Sequence, residues 1–299
     1  MASVEANGIT IEYDISGDGE PLLLLMGLGG QLTDWPQGLV DELVCHGFQV
    51  IRLDNRDCGL STEIDAEAPT IGDLAKQAIF RRGDVAAYVL NDMAADTIGL
   101  LDSFGIERAH VAGFSMGGMI AQSITIRYPE RVCSLTSMGS STGNRKVGRP
   151  SPRILRTVLK RRSLPTRESA LVSAVELFER ISGPTFERDE FRSLAEAAID
   201  RSFRPDGTTR QLACVLSSPD RTEALARVDV PTLVIHGMLD PLVRPSGGIA
   251  TAKAVPGARL VMFNDMGHDL PRTRWAEIAR EIRLNADRAS VPDAAAVAS

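Results

Sequence analysis

Apolar and polar residues alternate from Ile9 to Ser16, a period of two that predicts a half-buried strand. Gly17-Asp18-Gly19 supplies a turn, and Leu22 to Met26 is an unbroken apolar run, the pattern of a strand buried on both faces. The two form an opening β-meander. Gly27-Leu28-Gly29-Gly30 follows as a glycine-rich loop, then a helix is expected from about Trp35 to Cys45 and a strand over Gln49 to Leu53. The polar segment Asp54-Asn55-Arg56-Asp57-Cys58-Gly59 closes that strand, with Asp54 expected to organise its own loop with Arg56. Thr62 to Val89 is irregular with a short helical stretch, and Asn91 to Phe104 carries apolar residues at helical spacing. A strand at His110 to Gly113, a helix from Met119 to Arg127 stopped before Pro129, and a strand at Val132 to Met138 complete the first half.

From Gly139 to Ser218 the pattern changes. The segment is rich in Arg, Pro and Ser, with helical stretches near Ile154 to Lys160, Glu168 to Ser182 and Asp189 to Asp200 and no convincing strand. Alternation then resumes: strand Thr232 to His236, helix from about Pro245 to Ala254, strand Arg259 to Phe263, helix from about Arg272 to Asp287. Strands joined by crossover helices imply an α/β protein, with a mostly parallel central sheet, helices on both faces, and a helical cap inserted after the sixth strand. The expected division is a core of residues 1–139 and 219–288, a cap of 140–218, and a disordered, small-residue-rich tail of 289–299. There is no internal repeat and no coiled-coil heptad.

In such a sheet ligands bind at the carboxyl ends of the strands, and the chain's reactive residues fall there. Gly113-Phe114-Ser115-Met116-Gly117 places Ser115 on a sharp strand-to-helix turn, where residues 113 and 117 must be small because a Cβ would strike neighbouring backbone. A serine hydroxyl is a poor nucleophile until a base takes its proton, so acyl transfer there requires a histidine and an acid to orient it. His46, His110 and His236 lie at a helix end or in strands and read as structural. His268, in the turn Asp265-Met266-Gly267-His268-Asp269 beyond the last strand, reads as the base. Asp240, in Gly237-Met238-Leu239-Asp240-Pro241 after another strand, is favoured as the orienting acid over Asp265 and Asp269, which read as solvated turn formers. The oxyanion of a tetrahedral intermediate needs two fixed N–H donors; Met116 supplies one by position, and Leu28 in the glycine-rich loop is chosen for the other.

Composition then removes other classes. A net charge of −6 and a pI near 5.4 argue against general nucleic-acid binding. Met1 to Gly8 lacks a basic and an apolar region and is not read as a signal peptide, and Leu22 to Met26 is too short to span a bilayer. Cys45, Cys58, Cys133 and Cys214 are scattered without ligand spacing and read as reduced thiols of a cytoplasmic protein. Neither a phosphate-binding glycine motif nor a metal-binding histidine motif occurs, so no cofactor and no metal are expected.

Taken in order, Gly-Leu-Gly-Gly, Gly-Phe-Ser-Met-Gly-Gly, Gly-Met-Leu-Asp-Pro and Met-Gly-His-Asp resemble the α/β-hydrolase superfamily over nearly the whole chain, Ile9 to Asp287. Met26 to Gln31 and Asp54 to Ser61 are similar to its capped serine esterases, the branch that includes aclacinomycin methylesterase and mycobacterial lipase-like esterases. Met26 departs from the histidine that many members carry before the glycine. The resemblance implies an α/β-hydrolase fold and a hydrolase of carboxylic esters or thioesters, with cofactor-free haloperoxidase or perhydrolase chemistry and a slow-turnover ligand receptor as the other activities of that fold. One feature is particular to this chain: Arg145 to Arg167 holds nine basic residues and no acidic one. Arg149, Arg153, Arg156 and Lys160 fall at helical spacing opposite Ile154, Leu155 and Val158, which makes either a solvated helix or a rim attracting anionic or lipid-like substrates.

Overall fold

Leu22 to Leu25 are buried because they run through the middle of an eight-stranded sheet that helices cover on both sides. The computed structural model describes residues 1–80, 85–159 and 166–289 of the 299-residue chain. In chain order its strands and helices are β1 (Ala2–Ala6), β2 (Ile9–Ser16), β3 (Glu20–Leu25), α1 (Gln37–Cys45), β4 (Phe48–Leu53), α2 (Ile71–Phe80), α3 (Leu90–Ser103), β5 (Ala109–Phe114), α4 (Met116–Arg127) and β6 (Val132–Met138). Then come α5 (Pro152–Leu159), α6 (Arg167–Ile181), α7 (Arg188–Arg201), α8 (Pro205–Ser217), α9 (Thr222–Leu225), β7 (Thr232–Gly237), α10 (Ser246–Ala254), β8 (Arg259–Phe263) and α11 (Trp275–Asp287).

The strand order is β1-β2-β4-β3-β5-β6-β7-β8. β1 and β2 pair antiparallel at one edge, and every pairing from β4 to β8 is parallel. The period of two sorts the central side chains between the faces. Leu23, Leu25 and Val111 pack with Met93, Leu101, Ile120 and Ile124 of α3 and α4. Leu22, Leu24 and Ala112 pack on the other side with Leu39 and Leu43 of α1 and Ile278 and Ile282 of α11. Each fully buried leucine contributes roughly 1.5–3 kcal/mol, so this double burial drives the architecture.

A helical cap, α5 to α8, is inserted after β6, the sixth strand, and among the described residues it contains no strand. It is bolted to the sheet rather than laid across it. Cys214 of α8 enters the core cluster of α3 and α4, and Arg210 forms a buried ion pair at 2.7 Å with Asp57 in the loop after β4. Arg201 at the end of α7 reaches Asp54 at 2.8 Å. Asp54 therefore does not pair with Arg56 as expected; Arg56 turns instead to Asp96 of α3. The carboxylate of Asp54 is filled by the amides of Leu32 and Leu60 together with Arg201.

Several elements differ from expectation. α8 begins Pro205-Asp206-Gly207-Thr208-Thr209, a poor helix-forming run, and tertiary burial of Arg210, Gln211 and Cys214 overrides that propensity. β1 is too short and too exposed to show in the pattern. Pro36 separates a single helical turn, Leu32–Asp34, from α1, so the first helix starts later than Trp35. Arg149 precedes α5 and donates to Arg145 O, which removes it from the expected basic helical face. Arg153 and Arg156 are exposed on α5; Lys160 and the side chains of Leu155 and Val158 lie outside the described residues, as does the expected tail except Ala289. Cys58 and Cys214 are buried, and Cys45 is exposed. No described helix is long and apolar enough to cross a membrane.

Candidate active site

The parallel register brings the ends of β3, β5, β6, β7 and β8 to one edge, and the predicted site residues follow those ends. Ser115 occupies the turn between β5 and α4 with φ 57° and ψ −118°, a conformation that L residues adopt only under constraint. The constraint is visible: Ser115 N–H donates to Met138 O at 2.8 Å, and the Ser140 hydroxyl donates to Ser115 O at 2.8 Å. A Cβ at Gly117 would lie 1.8 Å from Leu25 O, so only glycine lets α4 start this close to β3.

His268 Nε2 stands 3.0 Å from Ser115 Oγ, and His268 Nδ1 stands 2.6 Å from Asp240 Oδ2. Both His268 and Asp240 are buried, whereas Ser115 is partly exposed. Asp240 Oδ1 accepts from the backbone N–H groups of Leu242 and Val243 at 2.8 Å each, which fixes its second oxygen on the imidazole. The His268 ring lies 4.9 Å from that of Phe114.

The remaining acids and histidines have surroundings of their own. Asp265 pairs with Arg274 at 3.0 Å, so it is ion-paired rather than simply solvated. Asp269 is no solvated turn former. Its carboxylate accepts from Gly267 N at 2.9 Å and Gly183 N at 3.2 Å, and burial raises its pKa. His236 is fully buried, donates from Nε2 to Val243 O at 2.7 Å, and has its pKa lowered chiefly by that burial. His110 contacts Ser134 Oγ at 2.8 Å and Glu20 at 3.3 Å at the opposite end of the sheet. His46 ends α1 through its backbone N–H.

The Leu28 and Met116 amides find no acceptor among the described residues, although each belongs to a tight turn. Such free donors beside a serine can hold a negative oxygen. The next amide along, Gly29 N–H, donates at 2.8 Å to Gln211 Oε1 of α8, and Gln211 Nε2 donates to Arg56 O at 2.8 Å. Gln211 thus ties the glycine-rich loop to the cap. A second tie is the His268 N–H, which donates to Ile181 O at 2.6 Å at the end of α6. No local pattern marks Gln211 or Ile181; their roles arise only where the cap meets the sheet. Among the described residues no cluster of His, Cys, Asp and Glu could hold a metal ion.

Residues 20–271 match the family described as alpha/beta hydrolase fold. The rhodomycin D methylesterase of Streptomyces peucetius is 30% identical over 291 residues, spanning 91% of this chain and 92% of that protein. A 2-hydroxy-6-oxononadienedioate/2-hydroxy-6-oxononatrienedioate hydrolase of Klebsiella pneumoniae is 27% identical over 285 residues, 92% and 88% of the two chains. Among solved structures, a thermophilic esterase from Thermogutta terrifontis superposes with a TM-score of 0.72 at 23% identity over 97% of this chain and all of that one.

Proposed function

The chain belongs to the α/β-hydrolase fold family and is an esterase-type hydrolase, and on that premise we propose that it cleaves carboxylic esters or thioesters through an acyl-enzyme formed on Ser115. The observation that carries this reading is the continuous relay from Ser115 Oγ through His268 to Asp240, at 3.0 and 2.6 Å.

In this mechanism Ser115 Oγ attacks the acyl carbon while its proton passes to His268 Nε2. Asp240 keeps the proton of Nδ1 in place and stabilises the imidazolium. The oxygen of the tetrahedral intermediate takes hydrogen bonds from the N–H groups of Met116 and Leu28. Collapse expels the alcohol or thiol, which leaves with the proton held on Nε2. Water then attacks the acyl-serine, gives a proton back to His268, and the carboxylic acid departs with Ser115 restored. We assign residues 1–139 and 219–288 to the hydrolase core and 140–218 to the cap that closes over the acyl group.

The test is direct. A fluorophosphonate should label the native protein at Ser115, and Ser115→Ala should lose both labelling and, by roughly four or more orders of magnitude, hydrolysis of p-nitrophenyl esters and acyl thioesters. Retention of a tenth of the activity would remove Ser115 from the mechanism. A series of acyl lengths on the native protein then defines the substrate.

A further inference from the structure

Arg221, between α8 and α9, is a buried cation that meets no buried carboxylate among the described residues. It is 6% exposed, and its guanidinium donates to neutral oxygens: Nε to Gln122 Oε1 at 3.1 Å, Nη2 to Ser141 O at 3.0 Å and Nη1 to Pro219 O at 3.5 Å. The other buried arginines face carboxylates, Arg52 with Asp14, Arg56 with Asp96 and Arg210 with Asp57 at 2.7 Å. No described carboxylate forms an ion pair with Arg221. The adjacent Asp220 is exposed and accepts from Thr222 instead. Burial lowers the pKa of Arg221 to about 10, which still leaves it charged at neutral pH.

A buried charge is costly unless something of opposite sign meets it. Arg221 borders a cavity of about 150 Å³ whose other polar walls include Gln77, Asn144, Arg145 and Ser218, and whose apolar walls include Met119 and Val215. Among the described residues no acidic one lines it. Gly143 lies against the outer edge of the guanidinium, where even a Cβ would come within 3.4 Å of Nη1 and 3.6 Å of Nη2. Two of the cavity's wall residues adjoin the serine turn along the chain. Met119 is one turn along α4 from Ser115, roughly 6 Å of helical rise, and Ser141 follows Ser140, whose hydroxyl holds Ser115 O.

We propose that this cavity is a carboxylate subsite in which Arg221 pairs with an anionic group of the substrate. The preferred substrates are then esters or thioesters that carry a second, carboxylate-bearing end on a short apolar spacer. The planar guanidinium offers two N–H groups to a carboxylate, and the spacer lies against Met119 and Val215. This deepens the hydrolase reading and rests on it.

The experiment compares p-nitrophenyl half-esters of succinate and glutarate with the neutral butyrate and pentanoate esters, and 4-acetoxybenzoate with phenyl acetate, covering carboxylates on the acyl and alcohol sides. The native protein should favour the anionic member of at least one pair by about tenfold or more in kcat/KM. Arg221→Gln should abolish that preference while neutral esters are still cleaved, and Arg221→Lys should retain part of it. Because Arg221→Gln removes buried bonds and can fail to fold, Val215→Phe narrows the cavity without touching the arginine, and it too should erase the preference. Absence of any preference in the native protein, or a preference surviving both Arg221→Gln and Val215→Phe, overturns the subsite. If neutral esters are not cleaved and Ser115 is not labelled, the hydrolase reading has failed instead. Calorimetric binding of succinate to Ser115→Ala protein then still decides the subsite: binding lost in the Ser115→Ala, Arg221→Gln double variant supports it, and binding that is absent or unchanged overturns it.

Discussion

At the scale of single residues, two carboxylates that follow the last two strands, Asp240 and Asp265, have distinct surroundings and should respond differently to the same change. Asp240 aims one oxygen at His268 and anchors the other on two amides, so Asp240→Asn should lower kcat by about 100-fold or more by favouring the wrong imidazole tautomer. Asp265→Asn only weakens a half-exposed pair with Arg274 and should leave kcat nearly unchanged. A steady-state comparison of the two variants that ranked them the other way would reassign the acid. The buried histidines set a pH response of stability. His110 and His236 both have their pKa lowered from 6.5, chiefly by burial, so each is favoured as neutral imidazole in the fold. Below about pH 6.5 the unfolded chain binds protons that the fold resists, and linkage then favours unfolding. Their contribution is therefore full above that value and is lost as pH falls through the lowered folded values. Denaturant midpoints near pH 7.5 and pH 5.5 should fall more in the native protein than in His236→Gln, which keeps a donor for Val243 O. Equal falls would show that His236 takes no part.

At the scale of elements, two contacts determine whether the serine turn and the glycine-rich loop are correctly shaped. The backbone of Gly117 passes so close to Leu25 O that Gly117→Ala forces α4 away from β3. Such overpacking should cost at least ~3 kcal/mol in chemical denaturation, or prevent folding altogether. An alanine protein as stable as the native one would mean that α4 and β3 can separate freely. Gln211 acts more gently. It holds Gly29 N–H beside the Leu28 amide, so Gln211→Ala should reduce kcat by about tenfold with little change in KM if Leu28 is the oxyanion donor proposed above, because a loosened loop misplaces that donor rather than a binding surface. Affinity for a trifluoromethyl ketone inhibitor, which mimics the tetrahedral intermediate, should fall in proportion. A pure KM effect would make Gln211 a wall of the site and nothing more.

At the scale of the whole molecule, the cap and sheet are joined by charges that water does not reach. Arg210 and Asp57 are almost wholly buried, and Asp57 also accepts from Tyr88 and Ile64. Removing one partner strands the other, so Arg210→Met should cost about 3–5 kcal/mol in the denaturant-unfolding free energy. The loss should depend little on salt, since screening acts weakly on a buried pair. A loss below ~1 kcal/mol would mean that the cap is held by its apolar contacts alone.

How much of this was legible in the chain follows from the range of the forces involved. The strands, crossover helices and serine turn were readable because each depends on neighbours in sequence: period-two alternation, apolar runs, glycines at 113 and 117, proline stops. The placement of Ser115 and His268 was readable for the same reason, each being a polar residue in a turn just past a strand. The helix α8 was not, because its local propensity is poor and its stability comes from burial of Arg210, Gln211 and Cys214 against residues more than a hundred positions away. The pairing of Asp54 with Arg201 rather than Arg56, the anchoring of Asp269 on Gly183, and the neutral oxygens that Arg221 meets are likewise invisible in sequence. A side chain's partner is chosen by which segments the packed core brings within hydrogen-bond reach, and that selection is made only in three dimensions.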